Sequence, residues 1–237
     1  MGNYYTSRII LVYKRHGARY MVSFTLRPYQ QEMVNIGVSK LQQGNPKPFI
    51  LQASVGGGKS LVIAGICHKL NEPTLILQPS RELLFQNYEK MLSYDIDDVK
   101  IYSASAGKKE IGQYTMATIG SIYKKPELFQ QFKHVIIDEC DLVDSKNLDG
   151  MYASFLNAIN CKSVCGLTAT PYRMVQKYIQ EGNDLYYTTT IKLVTRIGYP
   201  TFWSGGIAYK IETKELIDMG YLSPIKYYID NIDLREL

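Results

Sequence analysis

The chain has 237 residues, 46% of them hydrophobic, 21% charged and 12% aromatic, with a formal net charge of +5. With 18 glycines and 9 prolines, the composition excludes collagenous, low-complexity and intrinsically disordered chains, because there is ample side chain to bury a core. The positive excess is compatible with a nucleic-acid partner but does not require one.

Residues 8–24 read as two β-rich stretches, Arg8–Tyr13 and Arg19–Phe24, around a turn at Lys14-Arg15-His16-Gly17. They form a small N-terminal extension over residues 1–25. The first stretch holds the longest apolar run near the start, Ile9–Tyr13, which ends at Lys14-Arg15 and is far too short for a signal peptide or membrane span. A helix is expected from Pro28, which suits a first helical turn, to about Gln43, where Gly44-Asn45-Pro46 stops it. A rhythm of short apolar strands and helices then sets in. Pro48–Gln52 is a strand, followed by a glycine-rich turn and a helix over Lys59–Leu70. Thr74–Gln78 is a strand, followed by a helix over Arg81–Leu92. Strands are expected at Val99–Ser103, Tyr114–Thr118, His134–Ile137 and Ser163–Leu167, with a helix at Met151–Ile159. Continuously apolar strands alternating with helices imply an α/β domain, here residues 26–237, whose mostly parallel sheet is covered on both faces. Ligands of such sheets bind in loops at the carboxyl ends of the strands. After Pro171 the pattern weakens through Tyr172–Gly206, and a helix at Thr213–Met219 and a strand at Ile225–Asp230 close the reading.

Cys67, Cys140, Cys161 and Cys165 contain no CxxC pair, and the Cys161/Cys165 spacing has no second half of His or Cys. No zinc site is expected. Reduced, buried thiols suit a soluble cytoplasmic protein with no membrane partner.

Chemistry concentrates in two segments. Ala53-Ser54-Val55-Gly56-Gly57-Gly58-Lys59-Ser60 lies directly after a strand and directly before a helix. Three consecutive glycines let backbone N–H groups curl around a polyphosphate, and the helix N-terminus adds positive potential. In such a loop Lys59 reaches the β- and γ-phosphates and Ser60 holds Mg²⁺. The second segment, His134-Val-Ile-Ile-Asp138-Glu139-Cys140-Asp141, ends a strand in two adjacent carboxylates. These fall beside the phosphate loop if the two strands are neighbours. Asp138 then orients Mg²⁺ and Glu139 polarises the attacking water.

The order of motifs resembles a superfamily 2 helicase. Arg27-Pro28-Tyr29-Gln30 looks like the family's adenine-reading segment. Pro79-Ser80-Arg81-Glu82-Leu83 and Thr118-Ile119-Gly120-Ser121 match motifs that contact a nucleic-acid backbone. Asp138-Glu139-Cys140-Asp141 is a variant of the four-residue acidic box, with Asp where many members carry His. Thr168-Ala169-Thr170-Pro171 matches the motif coupling hydrolysis to movement. Leu26-Arg27-Pro28-Tyr29-Gln30, Gly166-Leu167-Thr168-Ala169-Thr170-Pro171-Tyr172-Arg173 and Gly220-Tyr221-Leu222-Ser223-Pro224 give the flavour of RadD-like and restriction-enzyme-like DNA helicases.

The resemblance implies a first RecA-like lobe that binds Mg·ATP, with DNA a better partner than RNA. It implies nucleotide contacts from Arg27, Gln30, Gly56, Gly57, Gly58, Lys59 and Ser60, catalysis by Lys59, Asp138 and Glu139, and Mg²⁺ held by Ser60 and Asp138. Ser80, Arg81, Thr118 and Ser121 would grip nucleic acid, while Asp141, Thr168 and Thr170 would couple the two sites. The matched motifs stop near residue 172, and no second strand–helix series is recognisable after Pro171, so a second RecA-like lobe is expected in the full-length protein. The alternatives are a duplex-DNA translocase of a restriction-type system and a single-lobed, nucleotide-dependent interaction module. Tyr186-Tyr187 and Tyr199–Trp203 could stack on bases, whereas Lys108-Lys109 and Lys124-Lys125 read as solvated surface.

Overall fold

The computed structural model describes residues 8–15, 18–44, 46–92, 94, 96, 98–143, 150–161, 163–181, 184–193 and 202–224. Two strands, β1 (Arg8–Arg15) and β2 (Ala18–Thr25), pair antiparallel from Arg8↔Thr25 to Arg15↔Ala18. Helix α1 (Pro28–Leu41) follows, with proline in its first turn.

Strands and helices then alternate: β3 (Phe49–Ala53), α2 (Lys59–Leu70), β4 (Thr74–Gln78), α3 (Arg81–Leu92), β5 (Val99–Ser103), β6 (Lys108–Lys109) and β7 (Tyr114–Thr118). The chain continues through the one-turn helix α4 (Ile119–Ile122), β8 (His134–Asp138), α5 (Met151–Ala158) and β9 (Ser163–Thr168). Two long strands, β10 (Tyr172–Glu181) and β11 (Asp184–Leu193), form a separate antiparallel ribbon, before β12 (Ile207–Ile211) and α6 (Thr213–Asp218).

Eight strands form one sheet in the order β12-β3-β9-β8-β4-β7-β5-β6, parallel throughout except for β6. Successive residues of a strand face opposite sides of the sheet, and the burial follows that alternation. Phe49, Leu51, Ile76, Ile136, Cys165 and Leu167 pack on one side with Met33, Val34 and Val38 of α1 and Val62, Ile63 and Ile66 of α2. Ile50, Leu75, Leu77, Val135, Ile137 and Val164 face the other, packing with Phe129, Phe132, Phe155 and Trp203. Phe129 meets Phe155 and Tyr102 edge to face, at ring-centroid distances of 5.7 and 5.1 Å, the geometry that aromatic quadrupoles favour. The result is the three-layer α/β architecture expected, and β3, β4, β8 and β9 are buried along their whole length.

Strands β10, β11 and β12, like the short β6 and α4, have no counterpart in the sequence reading. The stretch without a clear pattern contains the ribbon β10–β11, and β12 extends the sheet beside β3 where no strand was expected. β12 is an edge strand whose first four residues are half-buried or exposed, so it lacks the continuous apolar run of a central strand. The strand expected at Ile225–Asp230 lies outside the described residues. Trp203 is buried, 4.8 Å from the Phe202 ring, and is core rather than a base-stacking platform. No helix among the described residues is long and apolar enough to cross a membrane.

Candidate functional site

The carboxyl ends of the parallel strands carry nearly all of the residues singled out above. From β3 the chain turns through Ser54–Gly58 into α2, with Gly57 N–H donating to Ser54 O at 2.8 Å. Gly56 and Gly58 lie at φ of +79° and +76°, a region open to glycine with little cost. A Cβ on Gly58 would stand 2.4 Å from Gln30 Nε2. That contact records how α1 braces the loop. Gln30 Nε2 and the Tyr29 hydroxyl both donate to Gly57 O, at 3.1 and 2.9 Å, while Gln30 Oε1 accepts from Arg27 N–H. Gln30 thus buttresses the phosphate loop with its amide. The Arg27 guanidinium instead stacks 4.5 Å over the Tyr221 ring.

Tyr221 owes its place to the end of α6. Gly220, at φ +72°, reverses the chain so that Tyr221 and Leu222 N–H both donate to Leu216 O, a glycine-terminated helix cap. Leu222 then lies over Gly56.

The acidic segment reaches the loop without the strand adjacency on which the sequence reading made their meeting conditional. β8 is not the neighbour of β3, since β9 stands between them. The two segments meet by side-chain reach: Lys59 Nζ lies 3.0 Å from Glu139 Oε1. Glu139 adopts φ +47°, a left-handed conformation that costs a non-glycine residue of order 1–3 kcal/mol and recurs at functional sites.

Asp138 is buried at the end of β8. Its Oδ2 accepts from Asn87 Nδ2 at 2.8 Å and its Oδ1 from Glu139 N–H at 3.1 Å. Burial, and after it the Glu139 charge, raise its pKa above the ordinary carboxylate value, while Lys59, Asn87 and the Glu139 N–H pull the other way. The folded state therefore holds this proton more tightly than the unfolded chain. Its contribution to stability is full below the ordinary carboxylate pKa and is lost as pH rises towards the raised value. Asp138→Asn removes this dependence. Its melting temperature should gain on that of the original protein as pH goes from about 4 to 7, read by thermal denaturation at several pH values. A difference that stays constant with pH would contradict the assignment.

Ser60 Oγ donates to Asn87 Oδ1 at 2.5 Å, so one side chain from α3 joins the hydroxyl after Lys59 to the carboxylate of Asp138. Hydroxyl and carboxylate oxygens are the hard donors that Mg²⁺ prefers, and the pair fits such an ion completed by water and phosphate. Among the described residues no cluster of three or more His, Cys, Asp or Glu could hold a metal. Asn87 went unnoticed in the sequence, where a single Asn in an amphipathic helix carries no signal.

The remaining candidates line the same edge. Thr168 Oγ1 donates to Asp141 Oδ1 at 2.6 Å, and Thr170 joins through its backbone N–H, which donates to Thr168 Oγ1 at 3.0 Å. Further along, Ser80 Oγ caps α3 by accepting from Leu83 N–H, and exposed Arg81 lies over the Phe85 ring. Thr118 and Ser121 hydroxyls meet at 2.8 Å, and Ser121 Oγ accepts from Ala104 N–H. Gln78 and Thr118 are register partners. The structure therefore separates two groups on one edge, Arg27–Gln30, Gly56–Ser60, Asp138–Asp141 and Thr168 around the loop, and Ser80, Arg81, Thr118 and Ser121 beyond β8. Lys108, Lys109, Lys124 and Lys125 are exposed.

Comparison with known proteins decides the family. Residues 23–173 match the model of the type III restriction enzyme res subunit, ResIII. The chain belongs to the ResIII family. Its fold is that of the first RecA-like lobe of superfamily 2 helicases. A protein of African swine fever virus that carries the name of an ATP-dependent RNA helicase is 31% identical over 155 residues, 62% of this chain and 30% of the viral protein. This ResIII chain thus spans under a third of that relative. Among solved structures, the UvsW helicase of bacteriophage T4 aligns with a TM-score of 0.52 at 20% identity, covering 68% of this chain and 56% of UvsW. The type ISP restriction-modification enzyme LlaBIII, solved bound to DNA, aligns with a TM-score of 0.58 at 14% identity, covering 84% of this chain and 16% of the enzyme.

Proposed function

We propose that this chain is the ATP-binding motor lobe of a helicase or translocase that couples Mg·ATP hydrolysis to movement on DNA. The observation that carries the reading is the union of the phosphate loop and acidic box across an intervening strand: Lys59 on Glu139, and Ser60 and Asp138 both on Asn87. A coincidental glycine turn would have no reason to be tied to two carboxylates from elsewhere in the chain.

In this reading the loop N–H groups and Lys59 hold the triphosphate, the lysine exchanging Glu139 for phosphate oxygens. Glu139, so released, accepts the proton of the attacking water. Ser60 and Asp138 would hold Mg²⁺, which would supply positive charge to offset that developing on the phosphate. Arg27 and Tyr221 offer a planar cationic and aromatic face for a purine, with Gln30 fixing the loop beside it. Thr168 bonded to Asp141 gives the acidic box a mechanical connection to β9 and thence to the ribbon. Ser80, Arg81, Thr118 and Ser121 would touch phosphates, giving grip without sequence selectivity. A second RecA-like lobe would close the opposite side of the nucleotide and supply the arginine that such motors use.

The test is ATP hydrolysis by the full-length protein with single-stranded DNA, duplex DNA or RNA. We expect DNA to stimulate turnover and RNA to do so more weakly, with stimulation falling steeply as salt rises. No hydrolysis with any of the three would refute the motor reading and favour an interaction module. The ResIII match favours a second reading, translocation on duplex DNA without unwinding. Displacement of a triplex-forming strand without separation of the duplex would identify it.

A further inference from the structure

Asn87 is only 3% exposed, yet every polar atom of its side-chain amide is engaged at the candidate site. Oδ1 accepts from Ser60 Oγ at 2.5 Å, and Nδ2 donates to Asp138 Oδ2 at 2.8 Å and to Gln78 Oε1 at 3.1 Å. These three partners come from the start of α2, the end of β8 and the end of β4; β4 and β8 pair as far as Leu77↔Ile137, whereas α2 is a helix outside that ladder. Gln78 is wholly buried, its Nε2 has no partner among the described residues, and its Oε1 accepts one of the two Asn87 protons. The Asp138 carboxylate, which only accepts, and Gln78 Oε1 together fix which way the Asn87 amide faces. With Nδ2 held towards Gln78 and Asp138, Oδ1 must face Ser60. Reversing the amide would set its oxygen against the Asp138 carboxylate and against Gln78 Oε1.

We propose that Asn87 is a positioning residue for the metal of the nucleotide site, holding the Ser60 hydroxyl and the Asp138 carboxylate at the spacing a divalent cation needs, with Gln78 supporting its orientation. This rests on the reading of Ser60 and Asp138 as the Mg²⁺-holding pair. Neither residue can set that spacing alone. Ser60 sits at the start of a helix and Asp138 at the end of a strand two positions away in the sheet, and Asn87 is the side chain that touches both. Residues supporting metal ligands in this way typically change metal affinity by about 10–100-fold when removed. The amide also buffers the pair when no cation is bound, because it accepts from the hydroxyl and donates to the carboxylate.

The consequence is a defect in metal coupling rather than in nucleotide affinity as such. Binding of a fluorescent ATP analogue is titrated with excess EDTA and then with saturating Mg²⁺ or Mn²⁺, and the ratio of the two affinities is the coupling. Asn87→Ala removes all three hydrogen bonds. Asn87→Asp keeps the shape but sets a carboxylate against Asp138 and Gln78 Oε1. Both should lower the coupling at least about tenfold while changing metal-free affinity no more than about twofold, which also reports that the loop is still folded. Gln78→Leu, which leaves Asn87 in place but removes one of the two acceptors that hold its amide, should lower the coupling by a smaller factor. If Asn87→Ala does not fold, Asn87→Asp and Gln78→Leu carry the comparison. Coupling within twofold of the original in any folded Asn87 variant would overturn the proposal. An original protein whose nucleotide affinity ignores the metal would instead refute the Mg²⁺ reading beneath it.

Discussion

Glu139→Gln should bind ATP with unchanged affinity and hydrolyse it at least about 100-fold more slowly, the usual scale for losing a general base. The glutamine keeps the size of the side chain and an oxygen to accept from Lys59, so the local arrangement can persist. It cannot take a proton from water. The variant separates binding from chemistry because Glu139 stands off the phosphate loop and, among the described residues, meets it through the Lys59 ammonium at 3.0 Å. It should also raise thermal stability slightly, since the Glu139 charge is one of the two causes pushing the Asp138 carboxyl towards its protonated form. A more stable but slower protein is the signature of strain and repulsion kept for function. Equilibrium binding, phosphate release and thermal melting on the same preparation would read all three. Turnover retained at more than a tenth of the original rate would assign the proton-accepting role to another group.

Much of this was legible from residues alone, and the reason differs by element. The boundaries of α2, β4, α3, β5 and β7 match the sequence reading residue for residue, because each is either a short, mostly apolar run or a helical stretch between turn and cap residues. The phosphate loop was legible because its glycines answer a backbone requirement that no other residue meets. Strand order was not. Nothing local in β8 or β9 says which of them adjoins β3, so adjacency of the two key strands stood only as a condition, and the observed order places β9, with Thr168, between them. β12 escaped because an edge strand need not be apolar throughout. The ribbon β10–β11 escaped for a related reason: Met174 and Ile191, paired across it, are both exposed, so its alternation is not disciplined by a core. Asn87, Tyr29 and Tyr221 act through contacts made at sequence separations no short motif spans. Tyr29 and Asn87 bond Gly57 and Asp138, 28 and 51 residues away.

Lys59→Ala should lose at least about tenfold in ATP affinity, since a hydrogen bond to a charged group contributes roughly 1.5–3 kcal/mol and this one would be made to phosphate. The fold should survive. Lys59 is the first residue of α2, where alanine is the most favourable helix former, and its side chain crosses to Glu139 rather than entering either core cluster. What changes is the charge balance. With the ammonium gone, Glu139 is left beside Asp138 without the cation that holds the Asp138 pKa down, so that carboxyl should take up a proton more readily and be a weaker magnesium ligand. The variant should therefore fail in two ways that Glu139→Gln does not: weaker binding without metal, and a smaller gain when Mg²⁺ is added. Calorimetry with ATP alone and with Mg·ATP on both variants would distinguish them. Unchanged affinity in folded Lys59→Ala would remove the phosphate-loop assignment itself, because none of the residues argued around that loop has another reason to converge on a lysine whose charge the nucleotide does not need.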